Sequence, residues 1–454
     1  MRDVIVIGGG ISGLSTAHDL MQRGLNVTVL ERQVVTGGNA ISQRFDGFLM
    51  EHGPTTFNAS FPDAVAQIKA LGLLESASDL GPQVKKRYLR DDGKLAGIAT
   101  GPTGFLRSNY LSPKARLRVL TEGFRPRKKG GDEETIHQFT SRRFGREFAD
   151  RVIEPMAAGL FMGDASQLSI GGAFARLAAM EAEFGSITRA ILQAKRGSEP
   201  GRHLYSWRGG IATIPQALAR ALGDRIKTGV TVRRLRRSGQ GFAVETATGT
   251  EYARAVVLAV QPHVAAGLIV ELDPDGANAA GAIAAPAVNV VFLGYRRDQV
   301  AHPLDGLGFL STKDPSCIVS GAQFLSTMYE GRAPEGYVGI SAYAGGVRNP
   351  ETAQMPEADL VGAVHTELAG LLGIKGAPVV TRTRRWALGL PQYTLGHMGR
   401  VETLKTTPDR QPGLYLTGNY IGGVSVANCM ASAGEVAAKV VQELHLHTRQ
   451  TQTG

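Results

Sequence analysis

Cysteine is almost absent from this chain of 454 residues, which carries only Cys317 and Cys429, far apart in sequence. Neither belongs to a Cys-x-x-Cys pair or a Cys/His cluster, so a zinc site and a disulfide scaffold are both excluded and no metal is expected. Such usage fits a reducing cytosol. No run of about 18 apolar residues occurs, so no membrane-spanning helix is expected. The first residues enter an apolar strand without a charged leader or small-residue cleavage site, which argues against a secretory signal. Aromatic residues make up 6% of the chain and form no aromatic-rich platform with its basic stretch, so nucleic acid is not an expected partner.

Glycine is abundant at 58, and net charge stands at +10. The charge is concentrated. Between Leu80 and Gly130 thirteen Lys or Arg face only Asp91, Asp92 and Glu122, an excess equal to that of the whole chain. Such a stretch suits an anionic membrane surface or a carboxylate-bearing substrate, or else forms a solvated face. A chain of this length exceeds the size at which one core usually divides, so several lobes are expected.

The sharpest motif lies at the start. Val4-Ile5-Val6-Ile7 reads as a strand buried on both faces, followed by Gly8-Gly9-Gly10-Ile11-Ser12-Gly13, a helix to Arg23, and a second strand, Val27–Leu30, ending at Glu31. In such a G-x-G-x-x-G, Gly8 allows the tight turn, Gly10 lets backbone approach a pyrophosphate, and Gly13 lets helix pack on strand. The N–H groups of Ile11 and Ser12 open the helix toward phosphate. Glu31 accepts ribose hydroxyls, with Arg32 beside it. A second stretch, Gly37-Gly38-Asn39 and then Glu51-His52-Gly53-Pro54, is similar to the extension in glutathione-reductase-type flavoproteins. It favours FAD over a nicotinamide, and no second fingerprint marks a nicotinamide domain.

The chain returns to this site twice. An apolar strand is expected at Thr228–Val232, with the Val232 backbone on the adenine side, feeding a β-meander that ends near Val260. Gly413–Gly418 reads as another buried strand, running into Asn419 and Val424-Ser425-Val426 and an Ala-rich helix to Glu443. Its N–H groups would face the flavin pyrimidine. Trp386 and Tyr393, just upstream, belong either beside the flavin or in the core.

Several segments then resemble protoporphyrinogen oxidases, a family that includes coproporphyrinogen oxidases. They are Lys85–Leu89, Ser108–Ser112, Glu154-Pro155, Gly163-Asp164 with Leu168-Ser169, Trp207–Pro215, Pro391–His397 and Gly418–Val426. The resemblance implies six-electron oxidation of a porphyrinogen substrate with noncovalent FAD, using O2 as acceptor and releasing peroxide. It implies an α/β chain, α+β overall, with a Rossmann-like FAD domain at 1–85, 205–265 and 386–447. It also implies a mainly helical cap or membrane-binding region at 86–204 and a mixed-sheet substrate domain at 266–385; residues 448–454 are expected as a disordered tail. Arg87 would hold a propionate, Phe309 or Leu310 and Tyr343 would clamp pyrrole rings, and Gly163 would line the pocket. No catalytic acid or base is assigned, His397 being read as structural. Peripheral contact with the inner face of the cytoplasmic membrane and a monomer or homodimer complete the expectation. A flavin amine oxidase, a carotenoid-type desaturase and a flavin module without turnover remain alternatives.

Overall fold

The structure, a computed structural model, describes residues 2–99, 108–128, 130–194, 204–314 and 316–452. Two seven-stranded sheets organise the molecule.

The first sheet grows from the N-terminal strand Arg2–Ile7, which pairs in parallel with Val27–Leu30 on one side and Gly249–Leu258 on the other. Gly249–Leu258 continues antiparallel into Gly241–Thr246 and Val232–Ser238, and pairs in parallel with Leu414–Leu416. Parallel central strands must be covered on both faces. One face packs on the helices Ile11–Gln22, Thr213–Leu222 and Val426–Gln452; the other packs on Pro262–Ile269 and Pro274–Gly281. Residues 1–85, 205–265 and the C-terminal segment thus meet around one sheet.

Two expectations change here. The strand placed at Thr228–Val232 is divided: Ile226–Lys227 pairs with Val29 and Leu30, the chain turns, and the next strand begins at Val232. Gly229, at φ +70°, makes that turn, and the Val230 N–H reaches Glu31 O at 2.9 Å. The closing helix runs to Gln452, through much of the stretch expected as a disordered tail at 448–454.

The second sheet has the strand order Val380–Trp386, Val288–Arg296, Tyr337–Gly345, Val319–Phe324, Gly306–Ser311, Lys86–Asp91, Lys94–Ala99. Its last two strands correct the boundary drawn at residue 86. Lys86–Ala99 is a hairpin of this sheet, because Tyr88 and Leu89 bury opposite faces of it while charged residues occupy its turn. One sheet face is covered by the helix Glu357–Leu372, through Leu360, Val364 and Leu368. The opposite face meets the cap helices at one end and the hairpin Ser42–Phe45/Phe48–Glu51 at the other.

The cap, whose helices lie between Pro113 and Ala194, is pinned by a buried ion network. Arg143 and Glu122 are both fully buried and paired, and Glu122 also accepts from Ser186 Oγ at 2.7 Å and the Thr188 N–H at 2.9 Å. Pro102, Arg107 and Lys129 lie outside the described residues.

Candidate active site

Gly8, at φ +109°, and Gly13 meet at the first βα turn: a Cβ on Gly13 would stand 1.9 Å from Gly8 O, and one on Gly8 would stand 2.4 Å from Ala259 O. No side chain fits either position. The loop is closed from outside by Glu31, which accepts the Gly9 N–H at 2.6 Å and the Gln33 N–H at 2.7 Å. Its carboxylate is buried against the loop while Arg32 is exposed.

A second glycine rail lies on the first. The Gly37 N–H donates to Gly9 O at 2.8 Å, Gly10 and Gly37 form a parallel bridge, and a Cβ on Gly38 would come within 3.1 Å of Gly10 Cα. Asn39 continues this rail to the next bend, where a Cβ on Gly53 would stand 2.5 Å from Asn39 O. Ile11 and Ser12 begin the helix with no acidic residue in its first turn. Stacked bare backbone with free helix N–H groups suits a pyrophosphate, so the residues present fit a dinucleotide.

His52-Gly53-Pro54 is anchored on both sides. The Trp386 indole donates to His52 O at 2.7 Å, and the Arg384 guanidinium stacks 4.1 Å above the Trp386 ring. Glu51, one residue earlier, accepts from Ser42 Oγ at 2.5 Å and the Ile211 N–H at 3.0 Å, and pairs with the Arg332 guanidinium at 3.1 Å. The Trp207–Pro215 segment therefore docks through Gly210, φ +85°, whose Cβ would strike Ser42 Oγ at 2.2 Å.

The C-terminal return lies at the far end. Gly418 and Asn419 follow the last strand, and Asn419 O accepts the Tyr393 hydroxyl. Val424 packs on the cap cluster, while Ser425 caps the closing helix by accepting the Asn428 N–H at 3.1 Å. The first helical residue, Val426, is buried. His397 stacks on Tyr393 at 4.1 Å with rings nearly parallel, and burial first, then Arg400, pushes its imidazole down to about 4. It is neutral at ordinary pH.

The second sheet presents the other wall. Cross-strand register sets Leu89, Leu310, Gly321, Tyr343, Val290 and Arg384 in one row. Alternation puts Phe309 on the opposite face, 1% exposed among Tyr88, Phe324 and the covering helix. Of the two clamp candidates only Leu310 points toward the cap, where a Cβ on Gly159 would stand 2.2 Å from its Cδ2. Phe309 drops out as a contact. Tyr343 shares the Leu310 face, and burial, then Glu51, pushes its phenol well up. Arg87 shares the Leu89 face and is half-buried.

Gly163 sits in a tight turn after Met162, φ +50°, with Gln392 Oε1 2.5 Å from where its Cβ would be. Gln392 in turn donates to Phe161 O at 2.8 Å. The Pro391–His397 segment thus locks the turn that carries Gly163. Arg332 is a participant that periodicity gave no means of finding, since its partner Glu51 lies 281 positions earlier.

A family model for flavin containing amine oxidoreductase matches residues 11–441. The chain belongs to that family. Its cofactor is noncovalent FAD. Protoporphyrinogen oxidase 1, chloroplastic, of Arabidopsis thaliana is 30% identical, the match covering 96% of this chain and 88% of the relative. Coproporphyrinogen III oxidase of Bacillus subtilis is 26% identical over 94% of this chain and 96% of its own length. A crystal structure from Exiguobacterium sp., described as a candidate protoporphyrinogen oxidase, superposes with a TM-score of 0.83 at 23% identity, over 98% of this chain and 99% of that one. Cyclohexylamine oxidase of Brevibacterium oxydans gives 0.74 at 17%, covering 98% and 99%. The last two likenesses show the two-lobed flavoprotein fold. Among the described residues no helix is long and apolar enough to cross a membrane.

Proposed function

We propose that this chain oxidises a porphyrinogen, protoporphyrinogen IX or coproporphyrinogen III, to the porphyrin in tetrapyrrole synthesis, with O2 as electron acceptor. The observation that carries the reading is the row Leu310–Gly321–Tyr343. A bare glycine lies between an aliphatic and an aromatic side chain, on the sheet face turned toward the flavin segments and the cap. A flat macrocycle suits such a slot. Identity with both porphyrinogen oxidase types over nearly the whole chain supports it.

FAD, when bound, supplies the two-electron acceptor that oxygen regenerates. Glu31 would receive the adenosine ribose, with Val232 at the adenine end. Gly8–Gly13 and Gly37-Gly38-Asn39 would take the pyrophosphate; Gly53-Pro54 and Trp386 would flank the ring system. Gly418-Asn419 and Val424–Val426 would close on the pyrimidine end. Arg87 grips a propionate, since a guanidinium meets carboxylate with paired hydrogen bonds. The side chains orient the macrocycle; no acid or base of the chain is assigned, and the departing pyrrole protons pass to water or to a neighbouring group.

The basic cap supports peripheral membrane contact. Leu117, Leu120 and Phe124 are exposed, Phe124 at 86%, and the turn Glu122–Phe124 packs on the helix Ile187–Ala194, which itself exposes Ile191 and Leu192. Lys114, Arg116, Arg125, Arg127 and Lys128 belong to the same segments. Apolar side chains among cations suit an anionic bilayer surface.

Anaerobic addition of each porphyrinogen tests the reaction. The flavin should bleach, and admitted oxygen should yield porphyrin fluorescence and peroxide. Bleaching by amines and not by porphyrinogens would favour an amine oxidase instead.

A further inference from the structure

One polar pair stands on the sheet face that carries Leu310 and Tyr343. The Tyr343 hydroxyl donates to Gln323 Oε1 at 2.8 Å. Gln323 is diagonal to Tyr343, because Gly321 opposes Tyr343 and Gln323 opposes Ser341. An amide whose oxygen is engaged presents its NH2 in the other direction. Among the described residues no acceptor meets Gln323 Nε2, and the side chain is half-buried.

Gly308 is the neighbour of Gln323 on the strand toward Arg87. Its backbone, φ +132°, excludes any side chain: a Cβ would stand 1.9 Å from Ala322 O. On the far side of Gly308 comes Arg87. A bulge between Gly306 and Phe309 sets Leu307 and Gly308 together against it. Two strand spacings are about 10 Å, within the combined reach of glutamine and arginine. A carboxylate above Gly308 would meet a guanidinium from one side and an amide from the other.

We propose that Gln323, with its amide set by Tyr343, is a second carboxylate-binding residue that joins Arg87 on one propionate above Gly308. The assignment rests on the porphyrinogen reading given above. It makes the Tyr343 hydroxyl a positioning group as well as part of the ring-facing wall.

A double-mutant cycle on the holoenzyme tests it, using Arg87→Ala, Gln323→Leu and the pair. KM for the porphyrinogen is read together with Kd for the oxidised porphyrin by fluorescence quenching, which needs no turnover. Gln323→Leu should raise both about tenfold, the scale of a hydrogen bond to a charged group. In the Arg87→Ala background the same change should have less than about twofold effect, because the shared carboxylate is already released. Gln323→Glu keeps the acceptor for Tyr343 and hence the local fold, and should weaken binding more than leucine does. Tyr343→Phe should reproduce part of the loss, about threefold, by freeing the amide to flip. Equal factors in both backgrounds, or an unchanged Kd in Gln323→Leu, overturn the assignment while leaving the porphyrinogen reading in place. Failure of the unmodified holoenzyme to bind or oxidise either porphyrinogen removes both.

Discussion

Glu51 and Arg332 form an ion pair at 3.1 Å in which each side chain is only 1% exposed. Burial still outweighs the pull of Arg332, Ser42 and Ile211 and pushes the Glu51 carboxyl up to about 7. The folded state therefore holds a proton on Glu51 that the unfolded chain releases near the ordinary carboxylate value. Between about pH 4.5 and 7 the folded protein binds more protons, so this group's contribution falls as pH rises through that window. Glu51→Gln removes the titration. Urea midpoints of wild type and variant should nearly coincide at pH 5.5, and the difference should shift against the wild type by about 1–3 kcal/mol at pH 8. A difference independent of pH would show that Glu51 does not titrate there.

Gly13 tests the cradle. With its Cβ position 1.9 Å from Gly8 O, Gly13→Ala must push the helix off the strand and spoil the phosphate-facing N–H groups. The variant should purify with little or none of the visible flavin absorbance, and added FAD should bind at least about 100-fold more weakly, the scale of a local overpacking near 3 kcal/mol. Full flavin content would mean that the loop can yield.

The nucleotide-binding half was legible because its constraints are local. A strand, three glycines and Glu31 follow one another within a single βα unit, and each has its own steric reason. Much of the substrate half was not legible. Phe309 and Leu310 are neighbours in sequence, and only the register with Gly321 and Tyr88 decides which faces the cap. Lys86–Ala99 read as part of a helical region because its basic residues masked the burial of Tyr88 and Leu89. Glu51 could be picked out beside His52-Gly53, but Arg332 lies 281 positions later and no periodicity connects them.

His397 should report its environment through acid stability. Its imidazole is held down to about 4, by burial and then by Arg400, so between about pH 4 and 6.5 the unfolded chain binds the extra proton. Stability from this group is present above pH 6.5 and is lost as pH falls through that range. His397→Gln should flatten the acid limb of thermal unfolding, by up to about 3 kcal/mol. It should leave the pH profile of kcat between 6 and 8 unmoved, since a neutral stacked ring passes no proton there. A shifted kcat profile would instead give His397 a part in the chemistry.

The exposed cap residues predict a composition-dependent membrane affinity. Each large apolar side chain moved from water into the interface contributes about 1.5–3 kcal/mol when fully buried, and each nearby cation about 1 kcal/mol with anionic lipid. Leu120→Ser with Phe124→Ser should cut flotation with phosphatidylserine vesicles at least about tenfold. Arg127→Glu with Lys128→Glu should cut it with those vesicles but not with neutral ones. Flotation unaltered in both variants would assign the patch to another role.

Gly321 sets the sharpest limit on what the slot admits. It pairs with Leu310 on one side and Tyr343 on the other, and a Cβ there would stand 2.9 Å from Phe309 O and 3.1 Å from Leu310 Cδ2. Gly321→Ala therefore presses on Leu310, whose Cδ2 already packs on Gly159 of the cap, and Gly321→Val presses harder. Neither change touches the glycine rails or Glu31, so flavin content and spectrum should be retained. Macrocycle oxidation should fall about tenfold in kcat/KM for alanine and further for valine, a loss on the scale of 1–3 kcal/mol of overpacking. The steepness with side-chain volume matters most. A merely structural glycine would lower unfolding temperature and activity together, whereas the floor of a substrate slot loses activity with the holoenzyme still folded and yellow.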